Sequence, residues 1–298
     1  MSWRRGIVVR FHSDMVTVQD LETNQKINCF LPGRFKLQKI RPIVGDYVEY
    51  SKEQSYGRIE NILERKNELY RPRVANLDKL VLVTSIKEPQ VDLLIVDKII
   101  VLAEKENLDV VIVLNKTDLL VSDEERKDME KFIEIYGKIY PVIPTSKITK
   151  DNLDRLKSYL KNKVSTFAGP SGVGKSSLLN VLDPKLKLRE GEISKKLGRG
   201  KHTTTYAELL YFDFGGYIVD TPGFSSLELR GIKKDEVRHY FKEFLEFNGF
   251  CQFSNCSHTV EPGCAIKKAV ENEQISFSRY TNYCQIYKEI EDSSLKLQ

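Results

Sequence analysis

Short runs that alternate apolar with polar positions open the chain. Gly6–Phe11, Met15–Asp20, Lys26–Phe30 and Asp46–Tyr50 are rich in β-branched residues and read as strands. Thr23-Asn24, Leu31-Pro32-Gly33 and Val44-Gly45 break them where turns are needed. Several short strands separated by turns predict a small barrel, with a five-stranded oligonucleotide-binding (OB) fold as one natural form.

The pattern then changes. Leu80–Ile86 and Asp109–Leu114 are near-continuous apolar runs, and Val91–Glu106 between them has the length and composition of a helix. Lys138–Pro144, Val164–Ala168 and Tyr217–Asp220 are further apolar runs that end at polar loops. Buried strands alternating with helices predict a parallel α/β sheet, with any ligand beyond the carboxyl ends of the strands. The remainder reads as helical over Lys234–Phe247, loop-like around a cysteine cluster, and helical again toward Lys288. Three domains are therefore expected, over residues 1–68, 69–230 and 231–298. Nothing repeats at a solenoid period.

Composition sharpens this picture only in places. With 41% hydrophobic residues in 298, the chain has ample material for cores, which excludes general disorder. The formal net charge is a mild +5, but residues 1–72 alone carry +4. Arg4, Arg5, Arg10, Arg34, Lys36, Lys39 and Arg41 tilt that segment toward nucleic acid. No apolar run approaches the ~20 residues of a membrane span, and the start lacks the apolar core of a signal peptide. A cytoplasmic protein without membrane contact is expected. Of the five cysteines, Cys251, Cys256 and Cys264 cluster, which in a reducing compartment reads as a metal site before a disulfide framework.

The strongest motif is Gly169-Pro170-Ser171-Gly172-Val173-Gly174-Lys175-Ser176, which fits G-x-x-x-x-G-K-[ST]. It follows the apolar run Val164–Ala168 and precedes a helix predicted over Ser177–Leu182, the strand–loop–helix context that a phosphate loop needs. Its glycines let backbone N–H groups wrap a β-phosphate at a helix N-terminus. Lys175 would neutralise β/γ oxygens, and the Ser176 hydroxyl would coordinate Mg²⁺. Asn115-Lys116-Thr117-Asp118 follows the run Asp109–Leu114. An Asp118 carboxylate can accept two hydrogen bonds from the N1–H and N2–H₂ edge of guanine, where adenine offers no matching pair. Thr145-Ser146-Lys147 is a weaker element that backs up base recognition through Ser146. Asp220-Thr221-Pro222-Gly223 closes the run Tyr217–Asp220, placing Asp220 to reach the Mg²⁺ shell through water and the Gly223 N–H to sense a γ-phosphate.

The order is unusual. GTPases ordinarily run from phosphate loop through Asp-Thr-x-Gly to Asn-Lys-x-Asp. Here Asn115–Asp118 comes first and Asp220–Gly223 last, as a circular permutation would leave them. Downstream, Cys251, Cys256, His258 and Cys264 offer three thiolates and an imidazole, a closed tetrahedral set suited to one structural Zn²⁺. Cys29 and Cys284 read as lone core residues.

Together these features resemble the circularly permuted, ribosome small-subunit-dependent GTPase A family over essentially the whole chain. The resemblance implies an OB barrel, a permuted GTPase domain and a zinc domain. It puts the guanine motif on Asn115–Asp118, the phosphate loop on Gly169–Ser177 and the zinc ligands on Cys251, Cys256, His258 and Cys264. A Gly-x-His-Thr-Thr switch signature falls on Gly200-Lys201-His202-Thr203-Thr204, with Lys201 where the family leads one to expect Arg. The resemblance implies slow hydrolysis of GTP to GDP accelerated by the small subunit and its rRNA, and a late role in that subunit's maturation. A monomer is expected.

Hydrolysis also needs a group that orients the attacking water. Phe224 follows Asp220–Gly223 and cannot hydrogen-bond water, so His202 is the candidate by motif, equally readable as a structural or rRNA-contacting residue. One of Thr203–Thr205 should close on Mg²⁺, with Thr204 taken as the ligand. Lys185–Lys201 carries seven Lys/Arg against Glu190 and Glu192, a solvated loop or an rRNA contact. Two rival functions remain at this level: a phosphate-loop phosphotransferase preferring ATP, and an RNA chaperone that uses GTP as a switch with negligible turnover.

Overall fold

The computed structural model describes residues 3–12, 15–53, 55–70, 73–186, 188, 208–219, 229 and 231–295. The alternating N-terminal runs form β1 (Arg4–His12), β2 (Met15–Asp20), β3 (Lys26–Phe30), β4 (Tyr47–Lys52) and β5 (Gly57–Ile62), closed into a barrel in the order β1-β2-β3-β5-β4. Closure removes free edges, and it relies on a parallel pairing of Cys29 with Gly57 and an antiparallel return of β4 onto β1. Inward positions Val8, Val16, Val18, Ile27, Cys29, Val48, Tyr50 and Ile59 make the core, with Phe35 from a short helix α1 (Gly33–Leu37). The β2–β3 turn is built by Asp20, whose carboxylate accepts from the backbone N–H groups of Glu22 and Thr23, while Asn24 takes the left-handed conformation. Several of the arginines that made the segment look ready for nucleic acid face carboxylates: Arg5 and Glu49 at 3.6 Å, Arg34 and Glu60 at 3.4 Å, Arg10 and Glu208 at 2.6 Å.

A hairpin of β6 (Glu68–Tyr70) and β7 (Arg73–Ala75) leads into a six-stranded sheet. Its strands are β8 (Lys79–Thr84), β9 (Asp109–Leu114), β10 (Val142–Pro144), β11 (Val164–Ala168), β12 (Leu209–Tyr211) and β13 (Tyr217–Val219), in the order β10-β9-β8-β11-β13-β12. The pairs β9–β10 and β11–β13 are parallel, and the edge strand β12 runs antiparallel to β13. Apart from their first residues, β8 and β9 are buried along their length, as is all of β11, which is why their sequences read as continuous apolar runs rather than alternations. The run Lys138–Pro144 contributes only its last three residues as strand. Its start follows helix α3 (Asp123–Gly137), which the sequence pattern had not signalled and which opens on a Ser122/Glu125 capping box. The helix expected over Val91–Glu106 is α2 (Leu93–Lys105), capped by Asp92 accepting from the N–H of Leu94 and Ile95. Helices α4 (Leu153–Leu160) and α5 (Lys175–Leu182) flank β11 in the chain.

The segment Lys234–Phe247 is helical but not one α-helix. Two 3-10 pieces, Lys234–Tyr240 and Lys242–Phe247, meet at an extended Phe241. Phe241, Phe244 and Phe247 recur every three residues and all pack into one core, Phe244 and Phe247 from one 3-10 piece, whose three-residue turn stacks i on i+3. That core continues through α6 (Ala265–Glu271) and α7 (Phe277–Leu295) and takes Val101 from α2.

The chain divides into two compact units. One comprises Met1–Val81, Asn152–Ala168 and Lys175–Ser225, uniting the barrel with β11, β12, β13 and α5. The other comprises Leu82–Asp151, Gly169–Gly174 and Ser226–Gln298, and contains β9, β10, α2, α3 and the C-terminal helices. Among the described residues no helix is long and apolar enough to cross a membrane.

Candidate nucleotide and metal sites

The phosphate loop leaves β11 at Gly169, whose φ of +134° and surroundings admit no side chain: a Cβ there would lie 1.9 Å from the Val83 carbonyl oxygen. Gly174 is needed for a second reason. Its Cβ would fall 2.6 Å from the Asn115 Nδ2, because Asn115 is packed against the loop. Asn115 is buried and donates from Nδ2 to the Val173 carbonyl at 2.8 Å, while its Oδ1 accepts from the Thr145 hydroxyl at 3.1 Å. One amide therefore joins all three predicted elements: the guanine motif, the phosphate loop and Thr145–Lys147.

The rest of the guanine motif is arranged around that anchor. Lys116 takes the left-handed conformation (φ 64°) and its Nζ donates to the Glu88 carbonyl at 2.5 Å. Thr117 donates to the Thr145 carbonyl through both its N–H and its hydroxyl. Ser146 donates to Asp118 Oδ1 at 2.5 Å and accepts in turn from the N–H of Ile148 and Thr149. Asp118 is exposed, so its carboxylate is oriented by Ser146 yet reachable by a ligand. The loop carrying Glu88 and Pro89 had no signal in the sequence pattern. It also approaches the phosphate loop, with Pro89 Cδ 3.8 Å from where a Cβ on Gly172 would be.

Lys175 and Ser176 begin α5 and are both buried, whereas Ser171 and Gly172 are exposed, and Pro170 and Ser177 half-buried. Burial lowers the Lys175 ammonium to about 8, since a charge removed from water is disfavoured. An anion at the loop would reverse that penalty. His202, Thr204 with its neighbours Thr203 and Thr205, Asp220, Gly223 and Phe224 lie outside the described residues. So does most of the basic run from Lys185, although Lys185 itself pairs with Asp213 at 2.6 Å.

The four predicted metal ligands converge. The thiols of Cys251, Cys256 and Cys264 and a ring nitrogen of His258 all lie within 4.8 Å of one another. His258 Nδ1 is 3.5 Å from Cys251 Sγ and 3.4 Å from Cys264 Sγ, and the Ala265 N–H donates to Cys251 Sγ at 3.3 Å. Burial, and then the nearby Arg238, hold His258 below its ordinary value, so the imidazole stays neutral with a lone pair to give. Burial pushes the Cys256 thiol up to about 12, a cost that a bound divalent cation offsets by stabilising the thiolate. Tyr280 and Tyr283 clamp the loop by donating to the His258 and Ser257 carbonyls at 2.9 and 2.6 Å. Such a set can hold a metal ion. Cys29 is buried in the barrel, and Cys284 packs against the C-terminal core, as expected of bystanders.

Comparison with known proteins agrees with this architecture. The RsgA GTPase family model matches residues 62–230, and that of the RsgA N-terminal domain matches residues 5–59. A curated relative from Thermotoga maritima, named small ribosomal subunit biogenesis GTPase RsgA, is 53% identical over 96% of this chain and 97% of its own. Among solved structures, YjeQ from Thermotoga maritima superposes with a TM-score of 0.86 at 49% identity, covering 97% of this chain and 99% of that one. YloQ, described as a circularly permuted GTPase, gives 0.84 at 33% identity over 98% and 96%. With its guanine motif ahead of its phosphate loop and both assembled on one parallel sheet, this chain belongs to the RsgA GTPase family and is a GTP hydrolase.

Proposed function

We propose that this GTPase acts on the small ribosomal subunit, binding its rRNA through the barrel and hydrolysing GTP to GDP and phosphate when the subunit stimulates it, late in subunit maturation. The observation that carries the nucleotide part is the Asn115 amide bridging the Val173 carbonyl and the Thr145 hydroxyl. It ties base recognition to phosphate binding although the two motifs are inverted in the chain. In this reading Asp118 takes the guanine edge, supported by Ser146, and Lys116 and Thr117 hold the motif's shape. Gly169, Pro170, Ser171, Gly172, Val173 and Gly174 wrap the phosphates, continued by Ser177. Lys175 meets the β/γ oxygens, whose negative charge favours its ammonium form. Ser176 and Thr204 would hold Mg²⁺, with Asp220 reaching its shell through water; the ion would supply charge neutralisation at the phosphates. His202 orients the water, and Gly223 senses the γ-phosphate.

Cys251, Cys256, His258 and Cys264 would hold one zinc ion, which would cross-link the loop between Cys251 and Cys264. No ligand position remains open in a Cys₃His set, so its role is structural. The domains run over residues 1–68, 69–230 and 231–298, and the protein works as a monomer in the cytoplasm. The deciding measurement is the GTP hydrolysis rate of the full chain with added small subunits, large subunits or free rRNA. Acceleration by small subunits alone supports the proposal; equal rates under all conditions overturn it.

A further inference from the structure

Arg10 and Glu208 are 198 residues apart in the chain and form a two-pronged ion pair, with Nη2 at 2.6 and 2.7 Å from the two carboxylate oxygens. Their backbones also meet in an isolated antiparallel β-bridge. Such a pair at the surface adds little to stability, but with both Glu208 oxygens on the one Arg10 nitrogen it holds the end of β1 close to the start of β12.

Both ends of this contact are built. The register of β1 against β2 slips between Val8 and Arg10, a bulge of the kind that re-aims a side chain. Val8 lies in the barrel core and Val9 is buried as well, so β1 is held firmly just where Arg10 leaves it. Glu208 immediately precedes β12. Upstream of it in the chain is the Gly200–Thr204 signature. Across the sheet, Leu209 at the start of β12 pairs with Val219, the residue that precedes Asp220. Glu208 thus stands where the chain enters from one phosphate-sensing motif, next to the strand end that leads into the other. The barrel and this half of the sheet belong to the same compact unit.

We propose that Arg10 and Glu208 are positioning residues that link occupancy of the barrel by rRNA to the hydrolytic competence of the nucleotide site. RNA held on the barrel biases β1, and the ion pair carries that bias to the start of β12 and so to both motifs. The inference rests on the function proposed above, since it needs rRNA on the barrel and stimulation by the subunit.

The test compares wild type, Glu208→Gln and the charge reversal Arg10→Glu/Glu208→Arg as full-length chains, reading unstimulated turnover, GTP affinity, stimulated kcat and the subunit concentration giving half stimulation. Glu208→Gln is expected to keep unstimulated turnover, GTP affinity and half-stimulation near wild type while stimulated kcat falls about tenfold. The charge reversal is expected to restore stimulation. A loss confined to stimulated kcat separates positioning from a plain RNA contact, which would shift half-stimulation instead. Wild-type stimulation in Glu208→Gln, or a charge reversal as impaired as the single variant, overturns the linkage. A wild type without stimulation overturns the proposed function, and is recognised before any variant is compared.

Discussion

Arg279 Nη1 donates to Asp97 Oδ1 at 2.6 Å, and both side chains are out of water, at 1% and 0% exposure. Asp97 lies on α2, Arg279 on α7. Around them Glu243 takes the Arg279 fork at 2.7 and 2.9 Å, and the Tyr136 hydroxyl and the Asn282 amide complete Asp97 at 2.8 and 2.6 Å. The guanidinium also sits 4.6 Å from the Phe241 ring centre. Every strong donor and acceptor has a partner, the condition under which buried charges are tolerated. The C-terminal helices are thereby keyed to the helix that precedes the guanine-motif strand.

Removing one member of this network is expected to be far worse than removing all three charges. Asp97→Ala leaves Arg279 buried with one partner fewer and should lower unfolding stability by about 3–5 kcal/mol. Asp97→Leu, Glu243→Leu and Arg279→Met together should recover much of that loss. Urea unfolding of the two variants reads the difference directly.

Asp118→Asn should weaken GDP binding while admitting xanthine nucleotides. A carboxamide can still accept from Ser146 but offers N–H where guanine presents its own N–H donors, whereas xanthine presents a carbonyl there. One lost hydrogen bond to a charged acceptor, with two N–H donors left facing each other, corresponds to a drop of about ten- to hundredfold in GDP affinity. Competition of GDP and xanthosine diphosphate for a fluorescent nucleotide measures it.

Lys175 sets a pH dependence whose sign follows from its burial. In the free protein its ammonium titrates at about 8, and phosphate oxygens favour the charged form. Nucleotide binding must therefore take up a proton above about pH 8, and affinity falls as pH rises through that value, by up to about tenfold per unit. For stability of the free protein the sign is opposite: the unfolded chain holds the Lys175 proton longer, so this group's contribution improves as pH rises beyond 8. Calorimetric titration of GDP in two buffers of different ionisation heat at pH 8.5 should show the uptake in wild type and its absence in Lys175→Arg.

The cysteine cluster predicts one equivalent of zinc per chain by atomic absorption. His258→Ala or Cys256→Ala should lose that ion together with a large part of the thermal stability, since Cys256 and Cys264 belong to the same core as Phe244, Tyr283 and Val101 of α2. Cys284→Ala, which removes a half-buried thiol outside the set, should keep the metal and shift the melting temperature only slightly.

The motifs were legible in the sequence because their chemistry depends on short spacings. A phosphate loop needs its glycines and Lys175 at fixed intervals, Asn115–Asp118 works as a tetrapeptide, and the four metal donors span Cys251–Cys264. Strand pattern was legible for the same reason, since burial on one face or both writes itself into neighbouring residues. Even the permuted order could be read, because it is a matter of sequence alone.

What only the tertiary structure decided concerns residues whose meaning depends on a distant partner. Asp97 in an apolar helix and Arg279 on another are each anomalies until packing brings them together across 182 positions. Arg10 reads as one more basic residue until both oxygens of Glu208 close on its Nη2. Asn115 reads as part of a base-binding tetrapeptide, and its second task of holding the Val173 carbonyl exists only because β9 and β11 share a sheet. For Asp97, Arg279 and Asn115 the physical reason is that a polar side chain removed from water must find a partner at hydrogen-bond distance; for the exposed Arg10 it is that the fold brings the end of β1 beside the start of β12. Local sequence states that demand, and only the folded chain answers it.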